Sequence, residues 1–146
     1  MQTTIRSTYD LKMYLILNGS LGMTKGKMVA QASHACLKIF FDHMDYDNTV
    51  GLEGYRHVFI TCMNDDMRAW KEGAFAKISL KAPDEGTMEF LVRQAERNGI
   101  ATAEIRDNGV TQVEPGSLTA VAIGPFDTTR SEYEILMKGL YDLKLL

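Results

Sequence analysis

Lys12–Asn18 (KMYLILN) is a short, nearly continuous apolar run and predicts a first β-strand; Gly19–Thr24 behind it reads as a turn. From Gly26 to Phe41, Met28, Val29, Ala32, Ala35, Cys36, Ile39 and Phe40 recur at helical spacing and predict a helix with one apolar face. Asp42–Gly54 is acidic, contains DYDNT, and reads as a loop or a frayed helix end. Arg56–Cys62 fits strand and helix equally. Asn64 or Asp65 can cap a short helix through Lys71. Phe75–Ala82 (FAKISLKA) alternates as a strand does. Asp84 can cap the next helix, whose Met88, Leu91, Val92 and Ala95 form one stripe that Gly99 and Ile100 bring to a stop. Ala101–Arg106 and Leu118–Gly124 predict two more strands, separated by the turn-forming DNGVTQVEPGS. Ser131–Gly139 predicts a last helix and Tyr141–Leu146 a last strand. Strands alternating with helices predict an α/β fold, three layers (α/β/α) around a single sheet.

A length of 146 residues fits one domain, residues 1–146, able to bury a core without disulfides or metals. No apolar run is long enough to span a membrane, and Met1–Asp10 is too polar for a signal peptide. The two cysteines, Cys36 and Cys62, lack metal-site spacing and read as reduced thiols, so no metal or cofactor and a cytoplasmic location are expected. Cys36 falls on the apolar helix face, and Trp70 reads as a packing anchor. A net charge of −3 argues against broad, non-specific nucleic-acid binding. The distribution changes that picture. Residues 11–41 hold Lys12, Lys25, Lys27 and Lys38 and no acid, which would draw an anion to one end of the fold.

Two groups of residues carry candidate chemistry. Lys27, Gln31, His34 and Lys38 are spaced by four, three and four, and fall within about 60° of arc on the helix surface. Such a stripe can be a solvated face. It begins, however, where a strand-to-helix turn bearing Lys25 and Lys27 meets a helix N-terminus, a place that favours anions. A phosphate-binding P-loop is excluded, because Leu21 stands where the first glycine belongs and Met28 where Ser or Thr belongs. The second group lies in residues 107–119, where Asp107 is followed by Thr111, Ser117 and Thr119. A carboxylate near hydroxyls can orient or deprotonate a water, although the same residues also serve as ordinary turn chemistry. No Ser-His-Asp arrangement is present.

Together these segments resemble the peptidyl-tRNA hydrolase 2 family. GKMVAQASHA (26–35) is similar to its GK-hydrophobic-x-AQ-x-x-HA helix, and RDNGVTQVEPGSLTAVAIGP (106–125) to its DAG-x-TQ…PGS-x-T…AIGP segment. Trp70 with KISLK (77–81) resembles its Trp-Gly-KI-x-LK stretch, and the closing LYDLKLL its LKLL tail. The resemblance runs in order from about residue 12 to 146. It implies a mixed sheet of about four strands and metal-free hydrolysis of the ester between a peptide and the terminal ribose of tRNA. It also implies catalytic residues Lys27, Asp107, Thr111 and Thr119, with Gln31 and His34 lining the same cleft; Lys25 and Lys38, from the turn and the helix stripe, are added as candidate substrate-binding residues. In that reading Asp107 orients or activates water, the threonines position it or the ester, and Lys27 meets negative charge on the carbonyl oxygen or a nearby phosphate.

The chain departs from the family pattern in two places. Asn18-Gly19-Ser20-Leu21 stands for Arg-x-Asp-Leu, and Asn108-Gly109-Val110 for Ala-Gly-Arg, so two arginines that would grip phosphate are absent. Residues 45–60 read as an insertion. The expected partner is peptidyl-tRNA, no membrane is involved, and a homodimer is compatible with the sequence. The competing readings are a hydrolase of another acylated tRNA and a non-catalytic tRNA- or protein-binding member of the same fold.

Overall fold

The structure, a computed structural model, describes residues 7–46, 59–61, 64–108 and 113–146. Its elements in chain order are β1 (Leu11–Asn18), α1 (Lys25–Phe41), β2 (Met44–Tyr46), β3 (Phe59–Thr61), α2 (Asp65–Glu72), β4 (Ala76–Ala82), α3 (Glu85–Arg97), β5 (Thr102–Arg106), β6 (Leu118–Asp127), α4 (Glu134–Tyr141) and β7 (Lys144–Leu145). Five strands form one mixed sheet in the order β5-β6-β1-β4-β7, rather than about four. The β1–β4 pair is parallel and the other three are antiparallel, so β1, β4 and β5 end at the same edge.

Alternation along the strands builds two cores. On β1, Leu11, Met13, Leu15 and Leu17 point to one face with Ala35 and Ile39 of α1 and Met67 and Trp70 of α2. Tyr14 and Ile16 point to the other face, against Met88, Leu91, Val92 and Ala95 of α3 and Leu136 and Leu140 of α4. Where α1 crosses the sheet, β5 and β6 present Ala103, Ala120 and Ala122, whose small side chains let the helix come close. Trp70 is fully buried between Phe40 and Phe75, with its indole N–H donating to the Ala76 carbonyl at 2.8 Å.

Several boundaries differ from expectation for identifiable reasons. β2 and β3 pair as a small separate ribbon, so Met44–Tyr46 is strand where the acidic run suggested a loop, and Arg56–Cys62 contains a strand rather than a helix. Residues 47–58, most of the suspected insertion, lie outside the described residues. β6 continues past Gly124 through Pro125 to Asp127. The proline is tolerated because the β1–β6 register shifts between Lys12 and Tyr14, and Gly124 takes a φ of 103° that suits glycine. Tyr141 ends α4 instead of starting the last strand, which is only two residues long.

Candidate active site

The carboxyl edge of the sheet is where the two candidate groups meet. Asn18 ends β1 and is buried; its amide donates to the Leu118 carbonyl at 2.9 Å, while its Oδ1 accepts from the Ser20 N–H and hydroxyl. One side chain thus turns the chain out of β1 and ties that turn to the start of β6. α1 then begins at Lys25, with the Thr24 hydroxyl accepting from the Lys27 N–H at 3.3 Å. Its first turn contains no acid, so Lys25 and Lys27 sit against the helix dipole.

Lys27 is compensated from across the cleft. Its Nζ donates to Asp107 Oδ2 at 2.6 Å, and the two side chains are 15% and 2% exposed. Asp107 follows directly on β5. Its backbone N–H donates to the Ser117 carbonyl at 2.9 Å, and its carbonyl accepts from the Gly116 N–H at 2.7 Å. These reciprocal bonds close the base of the 107–117 loop, and Gly116, at φ 83°, supplies the left-handed turn they need.

One helical turn beyond Lys27, Gln31 makes a second bridge to the strands. The β5–β6 register sets Ile105 opposite Ala120 and Arg106 opposite Leu118, which leaves Thr119 as the extra residue of a β-bulge. Strict alternation would aim Thr119 with Val121 toward α3 and α4. The bulge instead turns it toward α1. Its hydroxyl oxygen lies 2.7 Å from Gln31 Oε1 and 3.0 Å from the Ile105 carbonyl oxygen. With one proton to give, the hydroxyl donates to one of these acceptors at a time. Thr119 is fully buried and Gln31 is 8% exposed.

The polar stripe of α1 is therefore not one surface. Lys27 and Gln31 face the strand ends, whereas His34 is exposed and Lys38 pairs with Asp42 at 2.7 Å near the far end of the helix. Lys38 stands eleven residues from Lys27, about 16 Å along the axis. Lys25 is exposed at the mouth of the site. Val29, placed by periodicity on the apolar face, is 67% exposed. Thr111 lies outside the described residues. Among those described, no cluster of three or more His, Cys, Asp or Glu is arranged to hold a metal ion, and no helix is long and apolar enough to cross a membrane.

A support not visible in the sequence pattern stands behind Asp107. Arg106 Nη1 donates to Glu85 Oε1 at 2.9 Å and to the Gly116 carbonyl at 3.0 Å, and Glu85 Oε2 accepts from the Leu118 N–H at 3.3 Å. The first turn of α3 is thereby clamped to both ends of the 107–117 loop. The Arg106 hydrogen bond, aided by that from Leu118, holds the Glu85 carboxyl below its ordinary range, and Glu85 in turn raises Arg106. Sequence spacing offers no signal for this contact, because Glu85 and Arg106 are 21 residues apart.

Comparison with known proteins identifies the family of the chain. Residues 11–143 match the family model described as Peptidyl-tRNA hydrolase PTH2. A peptidyl-tRNA hydrolase of Haloquadratum walsbyi is 37% identical over 115 residues, 79% of this chain and 86% of that protein. One of Methanococcus maripaludis is 35% identical over 132 residues, 90% of this chain and 96% of that protein. Peptidyl-tRNA hydrolase 2 of Saccharomyces cerevisiae is 35% identical over 116 residues, 80% of this chain and 51% of that protein. The match thus spans about half of the yeast relative's length and most of the archaeal ones'. With the family model covering nearly the whole chain, this protein belongs to the peptidyl-tRNA hydrolase PTH2 family.

Proposed function

We propose that this protein hydrolyses the ester joining a peptide to the terminal ribose of tRNA. The observation that carries the reading is the Lys27–Asp107 pair, a carboxylate and an ammonium 2.6 Å apart at the carboxyl edge of the sheet. Water adds to the ester carbonyl carbon and passes a proton toward Asp107. The negative charge that gathers on the carbonyl oxygen is met by the Lys27 ammonium, and the intermediate collapses by expelling the ribose oxygen, which takes up a proton. Lys27 and Asp107 are the catalytic residues in this scheme, together with Thr111 from the same loop.

Thr119 acts as a positioning residue. Having no exposed surface, its hydroxyl reaches substrate only through Gln31, which it fixes beside Lys27. Lys25 and His34 are exposed near the N-terminal half of α1 and are suited to contacts with the tRNA; Lys38 is suited only to its more distant parts. The Lys27–Asp107 pair weighs against a purely non-catalytic binding module, because such a module has no need of a buried carboxylate paired at a cleft. A homodimer and a cytoplasmic location remain part of the proposal, to be read by light scattering and by fractionation.

The test is release of the acyl-amino acid from an N-blocked aminoacyl-tRNA. Multiple turnovers by the folded protein, with slower release from the unblocked aminoacyl-tRNA, are expected. Turnover of a simple amino-acid ester with none of the tRNA ester would point to a different substrate.

A further inference from the structure

Two sequence motifs, KISLK and the closing LKLL, have no part in the chemistry above, yet the fold brings them together. In the antiparallel β4–β7 pair, Lys81 lies directly opposite Lys144. Directly opposed residues point to the same face, and like charges so placed destabilise a sheet. Both lysines are exposed, and neither side chain has a hydrogen bond or ion pair among the described residues. A fold that places two unneutralised cations side by side on a sheet edge is arranged to receive an anion there.

The register fixes which face this is. Lys81 pairs with Leu17 on β1, and Leu17 belongs to the core beneath α1. Among the described residues, α1 packs mainly on β5, β6 and β1, leaving β4 and β7 less covered on the same side. The Lys81 stem runs over Gly19, the first residue after β1: a Cβ there would stand 2.7 Å from Lys81 Cε and 2.9 Å from its Cγ. The ammonium is thus carried to the carboxyl edge, the edge that holds Lys25, Lys27 and Asp107. A crevice of about 300 Å³ opens there between Gly19, Lys81, Pro83 and Lys144, with Asp142 as the acid among its lining residues.

We propose that Lys81 and Lys144 form a phosphate-binding edge that holds the 3′-terminal strand of the tRNA, extending the site toward β7. The proposal rests on the tRNA reading of the preceding subsection. Strand spacing of about 4.8 Å puts β4 and β7 about 14 and 19 Å from β5, the strand that delivers Asp107. At about 3.4 Å per stacked nucleotide, that is the reach of four to six nucleotides from the scissile ester.

The experiment is a salt series of tRNA affinity for the intact protein and the double variant Lys81→Ala/Lys144→Ala, with deacylated tRNA as probe. Removing two phosphate contacts should lower the slope of log K against log salt by about 1.4–1.8 and weaken binding about 10- to 30-fold at 0.15 M salt. The loss in kcat/KM should be larger on full-length substrate than on one cut back to its 3′-terminal nucleoside. Lys138→Ala, on α4 at the other face, should change neither quantity. An unchanged slope in a folded double variant overturns the proposal, as does a wild type that does not bind tRNA at low salt. A wild type that binds with the expected slope difference but does not hydrolyse overturns the catalytic reading and leaves this surface standing.

Discussion

Replacing Thr119 with valine keeps the shape of the side chain and removes only its hydroxyl. Thr119 is the hydrogen-bond partner of the Gln31 amide among the described residues, at 2.7 Å, and Gln31 is 8% exposed. The variant therefore leaves a nearly buried amide with little access to water, which costs about 1–3 kcal/mol. In a domain of this size that corresponds to a fall in Tm of about 3–10 °C. Gln31→Met should cost less, because the Thr119 hydroxyl keeps the Ile105 carbonyl as an acceptor at 3.0 Å. The two changes together should cost less than their sum, with a coupling of about 0.5–3 kcal/mol by urea unfolding. Peptidyl-ester turnover should fall in Thr119→Val and return in Thr119→Ser, which restores the donor. A Thr119→Val protein within about 0.5 kcal/mol of wild type, strictly additive with Gln31→Met, would refute the reasoning, since both groups would then already be solvated.

Two further predictions address the charged groups. Lys27→Met removes the ammonium facing Asp107 and should lower kcat about 100- to 1000-fold in a folded protein, as loss of a preorganised charge partner does elsewhere; steady-state kinetics beside circular dichroism reads it. Glu85 bears on acid stability. Its folded-state pKa lies below its ordinary value, so its stabilising contribution is full above that ordinary value, about 4.3, and is lost as pH falls through the folded-state value. Being substantially exposed, it contributes no more than about 1 kcal/mol. Glu85→Gln should flatten the decline of Tm below pH about 4.5 and leave kcat/KM lower at neutral pH, because the Arg106 clamp on the loop is loosened. An unchanged acid profile would remove Glu85 from the account.

The sequence legibly carries the elements whose burial is one-sided or complete. β1 and α1 stand within a residue of their predicted ends, and the α3 stripe Met88, Leu91, Val92 and Ala95 is buried as its spacing requires. Gln31 shows where periodicity stops being informative. A polar side chain at helical spacing looks like solvent-facing surface, and only the Thr119 bulge, a register event between strands, makes an inward-facing glutamine favourable. Val29 fails in the opposite sense: its side chain is apolar at helical spacing, yet it is 67% exposed among the described residues. The candidate site was legible through its residue types and their order along the chain. Its supports, Asn18, Glu85 and Arg106, were not, because each acts through a backbone group or charge brought near by tertiary folding.

The most direct test of the central claim is peptide release from blocked aminoacyl-tRNA by wild type beside Asp107→Ala. The account predicts turnover in the wild type and a loss of at least about a hundredfold in a variant that retains its fold. Full activity in folded Asp107→Ala would contradict it.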